Sequence, residues 1–400
     1  MSRVRVLAVA DADSYLKWAA WSLARLRDHD GEPVVEPAVV VLRSPLAPTA
    51  EQARAAVAGT GLHPPSVLTP GALTRYVRTH LPDVVLVAAT GPVAELVAHR
   101  VLRATRHGHR PALVTGLPGM ALPATDRGTG WRRWTDAFVV HGRREAAPYR
   151  DAFARHDADP RIVLSRLPFL DPPAGTRATG TPPQGVPHRV VLAAQAKVPA
   201  TREDRVALLD GLARLADDGL EVTVKLRARA GERQTHNEPY PLDTLWATEH
   251  RRLGRSADTV GFAVGPMGDH LTPGTALLTV SSTAALESLA RGLPTVFLTD
   301  FGVGPEQLNE AYTGSGCLRR LDEVAATLRA GGPTPDRAWC EDGYLHTGDE
   351  LAGAVRELAE SSRAGTLAPR DAVVPWSRPR HLWSVARSAL PVALSARLTR

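Results

Sequence analysis

Two doubly wound α/β domains are predicted, on three observations. At 400 residues the chain is longer than one typical core and suits two domains of about 150 to 200 residues each. Short β-branched runs alternate with longer segments of helical periodicity, the pattern of βαβ units. The alternation stops at a proline- and glycine-rich stretch, 171–187 (DPPAGTRATGTPPQGVP), and then starts again. The predicted organisation is therefore a first domain over 1–170, a linker over 171–187, a second domain over 188–362 and a basic tail over 363–400.

In chain order, strands are expected at 4–10, 38–42, 83–88, 112–116, 137–141 and 162–165. Helices are expected at 14–27, at 92–106 and between the last two of these strands. Runs such as Val84-Val85-Leu86-Val87 are apolar on both alternating faces, as in a parallel sheet covered by helices on both sides. After the linker come a strand at 189–194, a helix at 202–217 and strands at 221–226 and 276–280. A helix at 283–291 and a strand at 295–298 follow. Ligands of such sheets lie beyond the C-terminal ends of the strands, so the active site is expected in a central cleft that both domains face.

Composition narrows the class. Hydrophobic residues at 44% and charged residues at 22% are those of a globular protein. The two cysteines, Cys317 and Cys340, form neither a CxxC pair nor a cluster with histidines, so no disulfide framework or zinc site is expected and a cytoplasmic location is. The first apolar run is broken at Asp11, and no run approaches the roughly 18 residues of a membrane span. The net charge of +6 resides in the last forty residues, where seven arginines face the single acid Asp371. No recognition motif accompanies them, so nucleic acid is not an expected partner. No GxxxxGK[ST], HExxH or GxSxG motif is present, and Gly302-Val303-Gly304 and Gly314-Ser315-Gly316 lack the third glycine of a dinucleotide fingerprint.

The most informative segment is 277–300, LLTVSSTAALESLARGLPTVFLTD. A strand ends at Val280, and Ser281, Ser282 and Thr283 open a helix whose free N–H groups and hydroxyls suit a phosphate. Glu287 lies one turn on, placed to accept bonds from ribose hydroxyls. The plainer reading is an ordinary helix cap. The order strand, Ser-Ser-Thr, three residues, Glu, four residues, Gly-x-Pro, strand resembles the donor-binding segment of GT-B glycosyltransferases, whose architecture is two Rossmann-like domains. Lineages with a serine pair here include bacterial sialyl- and polysialyltransferases and teichoic-acid glycerophosphotransferases. The whole chain resembles an actinobacterial glycosyltransferase family. The resemblance implies a nucleotide-sugar donor, with a mild preference for a cytidine nucleotide, and a glycan or lipid-linked hydroxyl acceptor in envelope or capsule polysaccharide synthesis. It implies no metal cofactor.

A second constellation is 222–241, VTVKLRARAGERQTHNEPYP. Lys225 and Arg227 alternate with Val224 and Leu226 at the end of a strand, where both can reach donor phosphates. The related lineages have Lys-x-His-Pro here; this chain has Lys-Leu-Arg-Ala. His236 in the following loop is the candidate for the missing imidazole, with Glu232 and Glu238 to orient it, although a solvated loop would look the same.

In the first domain the loop ADADSY places Asp11, Asp13 and Ser14 at the expected cleft rim. Asp13 is the first candidate for the base that takes the acceptor's proton and Asp11 the second; alternatively Asp13 or Ser14 is the helix N-cap. Asp-Ala-Asp also matches the metal-binding DxD of GT-A enzymes, but that motif follows several strands rather than the first. Lys17 is a candidate for an anionic acceptor, Gly116 and Gly119 for an acceptor loop and His141 for a further contact. Two other functions remain in view: a sugar-nucleotide epimerase on the same kind of domain pair, and a nucleotide-sugar binding protein without turnover. The tail after residue 374 reads as a basic amphipathic segment for an anionic membrane surface, or as a helix returning to the first domain.

Overall fold

The computed structural model describes residues 3–27, 31–106, 108–170, 185–227, 238–370 and 378–389. The chain forms two compact units, one made of Met1–Phe169 and His346–Arg400 and the other of Leu170–Leu345. Most of the expected linker, 171–184, lies outside the described residues.

The first unit runs β1 (Val4–Ala10), α1 (Asp13–Ala24), β2 (Val35–Leu42), α2 (Ala50–Val57), β3 (Ser66–Leu68), α3 (Pro70–His80), β4 (Val84–Ala88) and α4 (Gly91–Thr105). It continues with β5 (Ala112–Gly116), α5 (Asp126–Gly130), β6 (Ala137–Val140), α6 (Ala146–Ala154) and β7 (Arg161–Leu164). The second unit carries β8 (Arg189–Ala193), α7 (Arg202–Asp217), β9 (Glu221–Lys225), α8 (Leu242–Glu249), β10 (Gly261–Ala263) and β11 (Thr275–Thr279). After these come α9 (Ala284–Ala290), β12 (Thr295–Leu298), β13 (Leu318–Arg319), α10 (Leu321–Arg329) and α11 (Arg337–Asp342). Two last helices, α12 (Leu351–Ala364) and α13 (Arg378–Ala389), belong to the first unit.

Both sheets are wholly parallel. Their strand orders are β3-β2-β1-β4-β5-β6-β7 and β10-β9-β8-β11-β12-β13. Each chain segment starts in mid-sheet, winds outward on one side, then crosses back and winds outward on the other. The strand order therefore reverses between β1 and β4 in the first unit and between β8 and β11 in the second. The inner strands are buried along their whole length, as in β4 and β11, because helices cover both faces. Local signals set the helix starts: Thr49 and Gln52 form a capping box on α2, and the hydroxyls of Thr69 and Thr201 cap α3 and α7.

The C-terminal boundary differs from the sequence expectation of a second domain to 362 and a separate tail. Helix α12 packs on β1, β4, β5 and β7, and Leu351, Ala354, Val355 and Ala359 join the core of the first unit. Two arginines of the expected tail are held there too: Arg363 donates to Asp83 and Arg370 to Asp136. Helix α13 lies on α3 and α4, with Val385 against the core and Leu382 and Trp383 exposed. Among the described residues no helix is long and apolar enough to cross a membrane.

Candidate functional site

Open parallel sheets bind ligands where the strand order reverses, beyond the strand C-termini. In the second unit that point is flanked by the loops that leave β8 and β11, and one side chain ties them together. The Gln195 Oε1 accepts the Ser281 N–H at 2.8 Å while its Nε2 donates to Ser281 Oγ at 2.8 Å. Ser281 is buried, and Ser282 and Thr283 are partly exposed. Helix α9 begins one residue later than expected, at Ala284, with Thr283 as its N-cap.

The backbone groups expected to face a phosphate are largely taken up within the protein. Besides the Ser281 N–H, the Ser282 N–H donates to Thr279 Oγ1 at 3.0 Å and the Ala284 N–H to Ser282 Oγ at 3.3 Å. With α9 only seven residues long, its dipole is a minor contributor. The hydroxyls remain. Those of Ser281 and Ser282 already accept a bond from the protein, so their own protons point elsewhere. Glu287 is partly exposed on the first turn of α9.

Two residues that sequence reasoning missed hold this turn. Tyr312, fully buried and stacked on Phe297 at 3.6 Å between ring centroids, donates its hydroxyl to the Ser282 carbonyl at 2.9 Å. Arg205, also fully buried, donates to the carbonyls of Gln195, Ala196, Pro199 and Tyr240 and to the Glu238 carboxylate at 2.6 Å. It thereby fixes both the loop after β8 and the segment entering α8. Glu238, expected to orient an imidazole, is thus engaged by Arg205. Glu232 and His236 lie outside the described residues. Lys225 ends β9, partly exposed, and Arg227 is exposed two residues on, while Val224 and Leu226 turn into the core as the alternation required.

The first unit has the same construction at its own reversal point. Asp11 follows β1 and accepts the N–H of Thr90, just after β4, at 3.0 Å and its hydroxyl at 2.5 Å. Asp11 is therefore not at a solvent-facing rim: it is fully buried, and burial pushes its carboxyl up to about 6 despite the Thr90 bonds and the nearby Arg132. Arg132, itself buried, donates to the Tyr15 hydroxyl at 3.1 Å and the Ala89 carbonyl at 2.7 Å. Asp13 is the first residue of α1 and partly exposed; the N-cap is Ala12, not Asp13 or Ser14.

Among the acceptor candidates, Lys17 is partly exposed with its Nζ 5.4 Å from the Phe169 ring centroid. Gly119 is buried. Gly116 and His141 are core residues rather than ligand contacts. A Cβ on Gly116 would sit 3.0 Å from the Trp18 ring and from Val139 Cβ. The His141 ring is buried, and Trp18 Nε1 donates to its Nε2 at 2.8 Å, leaving Nδ1 to donate to the Ser165 carbonyl at 2.8 Å. Burial lowers its pKa, in keeping with a neutral ring.

A family model described as "Putative glycosyltransferase (DUF6716)" matches residues 6–358. No curated protein matches the chain significantly. Solved structures of similar fold include a "putative UDP-N-acetylglucosamine 2-epimerase" of Listeria monocytogenes, 12% identical over 94% of this chain and 100% of that one, with a TM-score of 0.60. The UDP-GlcNAc 2-epimerase of Methanocaldococcus jannaschii is 11% identical over 89% and 99% of the two chains, at a TM-score of 0.54. That of Neisseria meningitidis, bound to UDP-GlcNAc, is 12% identical over 90% and 100%, at 0.53. Likeness at this level of identity establishes the fold, two Rossmann-like α/β domains.

Proposed function

From the premise that the chain belongs to the glycosyltransferase family whose model spans residues 6–358, we propose that it moves a sugar from a nucleotide-sugar donor to a hydroxyl acceptor. The observation that carries the reading is the turn Ser281–Thr283 at the reversal point of the second sheet. There two consecutive hydroxyls each accept a bond from the protein and keep their own protons to donate, which suits a phosphate oxygen. Lys225 and Arg227, at the end of β9, supply positive charge for the same phosphates, and Glu287 binds the ribose. With cations from the protein the reaction is expected to survive chelation of divalent metals.

In the transfer, the acceptor oxygen bonds to the anomeric carbon as the bond from that carbon to the donor phosphate breaks. The acceptor proton passes to Asp13, and the nucleotide departs with the bonding electrons. Envelope or capsule polysaccharide synthesis is the setting that suits such a transferase. If the acceptor is lipid-linked, the exposed Leu382 and Trp383 of α13, with the exposed Arg380 of the same helix, would rest on an anionic bilayer.

Titration with UDP, CDP and their sugars tests the donor assignment. Ser282→Ala or Thr283→Ala should weaken binding by about 1.5 to 3 kcal/mol with little change in thermal midpoint; unchanged affinity in both removes the site. Asp13→Asn should keep nucleotide binding and lower turnover by roughly 10² to 10⁴. A second reading, sugar-nucleotide epimerisation, draws on the UDP-GlcNAc 2-epimerases among the fold neighbours. A labelled donor recovered as its epimer without any acceptor product would favour it.

A further inference from the structure

We infer that Gln195 is the positioning residue of the nucleotide site, and that its amide commits the Ser281 hydroxyl to donate to a diphosphate oxygen. The inference rests on the donor reading of the Ser281–Thr283 turn and goes beyond it, because Gln195 belongs to neither the turn nor its helix.

The direction of the amide is not a free choice. A backbone N–H can only donate, so the Gln195 atom 2.8 Å from the Ser281 nitrogen must be the carbonyl oxygen. The atom facing Ser281 Oγ at 2.8 Å is then the NH₂ group, which can only donate. Ser281 Oγ is therefore an acceptor in that bond, and its own proton has to leave in another direction. Among the described residues it meets no acceptor. An anionic oxygen at the reversal point supplies one through a charge-assisted bond.

The surroundings hold Gln195 in place. Arg205, with no exposed surface, donates to the carbonyls of Gln195, Ala196 and Pro199, and Tyr312 pins the far side of the turn through the Ser282 carbonyl. The loop and the turn are thus set relative to each other before any ligand arrives, as preorganised binding requires. Exchange of the amide for a carboxylate is the informative change. Gln195→Glu can accept both the N–H and the O–H of Ser281, so the local bonds stay satisfied. The hydroxyl proton, however, turns inward, and a negative charge now stands at the phosphate site.

The test compares UDP and CDP with uridine and cytidine on the full chain. Gln195→Glu is expected to weaken the diphosphates about tenfold or more while leaving nucleoside affinity and thermal midpoint near those of the wild type. Ser281→Ala should weaken the diphosphates about tenfold alone and add little in the Gln195→Glu background, since both changes remove the same bond. Should Ser282→Ala weaken UDP while Gln195→Glu and Ser281→Ala bind it normally, the role of Gln195 is overturned and the donor site stands. Equal losses for nucleoside and diphosphate together with a lowered midpoint would make Gln195 a purely structural residue. If the wild type binds no nucleoside diphosphate at all, the donor reading and this inference both fail.

Discussion

Asp11 shows how strongly one side chain responds to its place in a sheet. It follows β1, and it exchanges hydration for two bonds from Thr90. Because burial raises its pKa from 3.8 to about 6, the folded state favours the protonated carboxyl. Stability from this group is therefore full below about pH 3.8 and is lost as pH rises through 6, a span worth about 3 kcal/mol. Asp11→Asn should flatten that part of the stability profile when unfolding is followed by urea from pH 4 to 7.5. An unchanged slope would show that Asp11 ionises as freely in the fold as outside it. Charge and position in the sequence identified Asp11 as a candidate, but its partner Thr90 and the nearby Arg132 lie far away in the chain. Gln195 carried no such mark. Only alignment of the two opening strands, Ala10-Asp11-Ala12-Asp13 beside Ala194-Gln195-Ala196-Lys197, would have singled it out. Tyr312 reaches the Ser282 carbonyl across thirty residues, a contact that local pattern cannot show.

At the level of elements, the central strands were legible because nearly every residue in them is apolar, and the structure keeps β1, β5 and β12 at the predicted limits. Three of the four edge strands, β3, β10 and β13, are two or three residues long and partly exposed, too short for periodicity to register. Helix α12 is amphipathic and readable as a helix, yet nothing in its own residues says which sheet it covers. Its four buried apolar side chains lie on the first sheet, where Leu351 and Val355 each contribute on the order of 1.5 to 3 kcal/mol. Leu351→Ala should cost about 2 to 5 kcal/mol in the unfolding of the first unit. Deletion from residue 346 onward should leave that unit unable to fold, as judged by loss of its cooperative transition, while a mere tail would be removed without effect.

For the molecule as a whole, the second unit is one continuous stretch, Leu170–Leu345, inserted between two pieces of the first. Its sheet, its core and the network of Arg205, Gln195, Ser281 and Tyr312 lie within that stretch. Residues 170–345 expressed alone are therefore expected to fold cooperatively and to bind nucleoside diphosphate within about tenfold of the full chain. An unfolded product, or a folded one without nucleotide affinity, would mean that the donor site draws on the rest of the protein.

The insertion also fixes an order of events during synthesis. A ribosome that has finished Phe169 has delivered every strand of the first sheet, but α12, which closes one face of it, ends at Ala364. At about 5 to 20 residues per second, that closure comes roughly 10 to 40 s later. Throughout the interval the second unit can emerge and complete its own core, while the part of the first core that Leu351, Ala354, Val355 and Ala359 complete waits for α12. The domain that begins first thus finishes last, and its exposed apolar face is the surface a nascent-chain chaperone would have to guard.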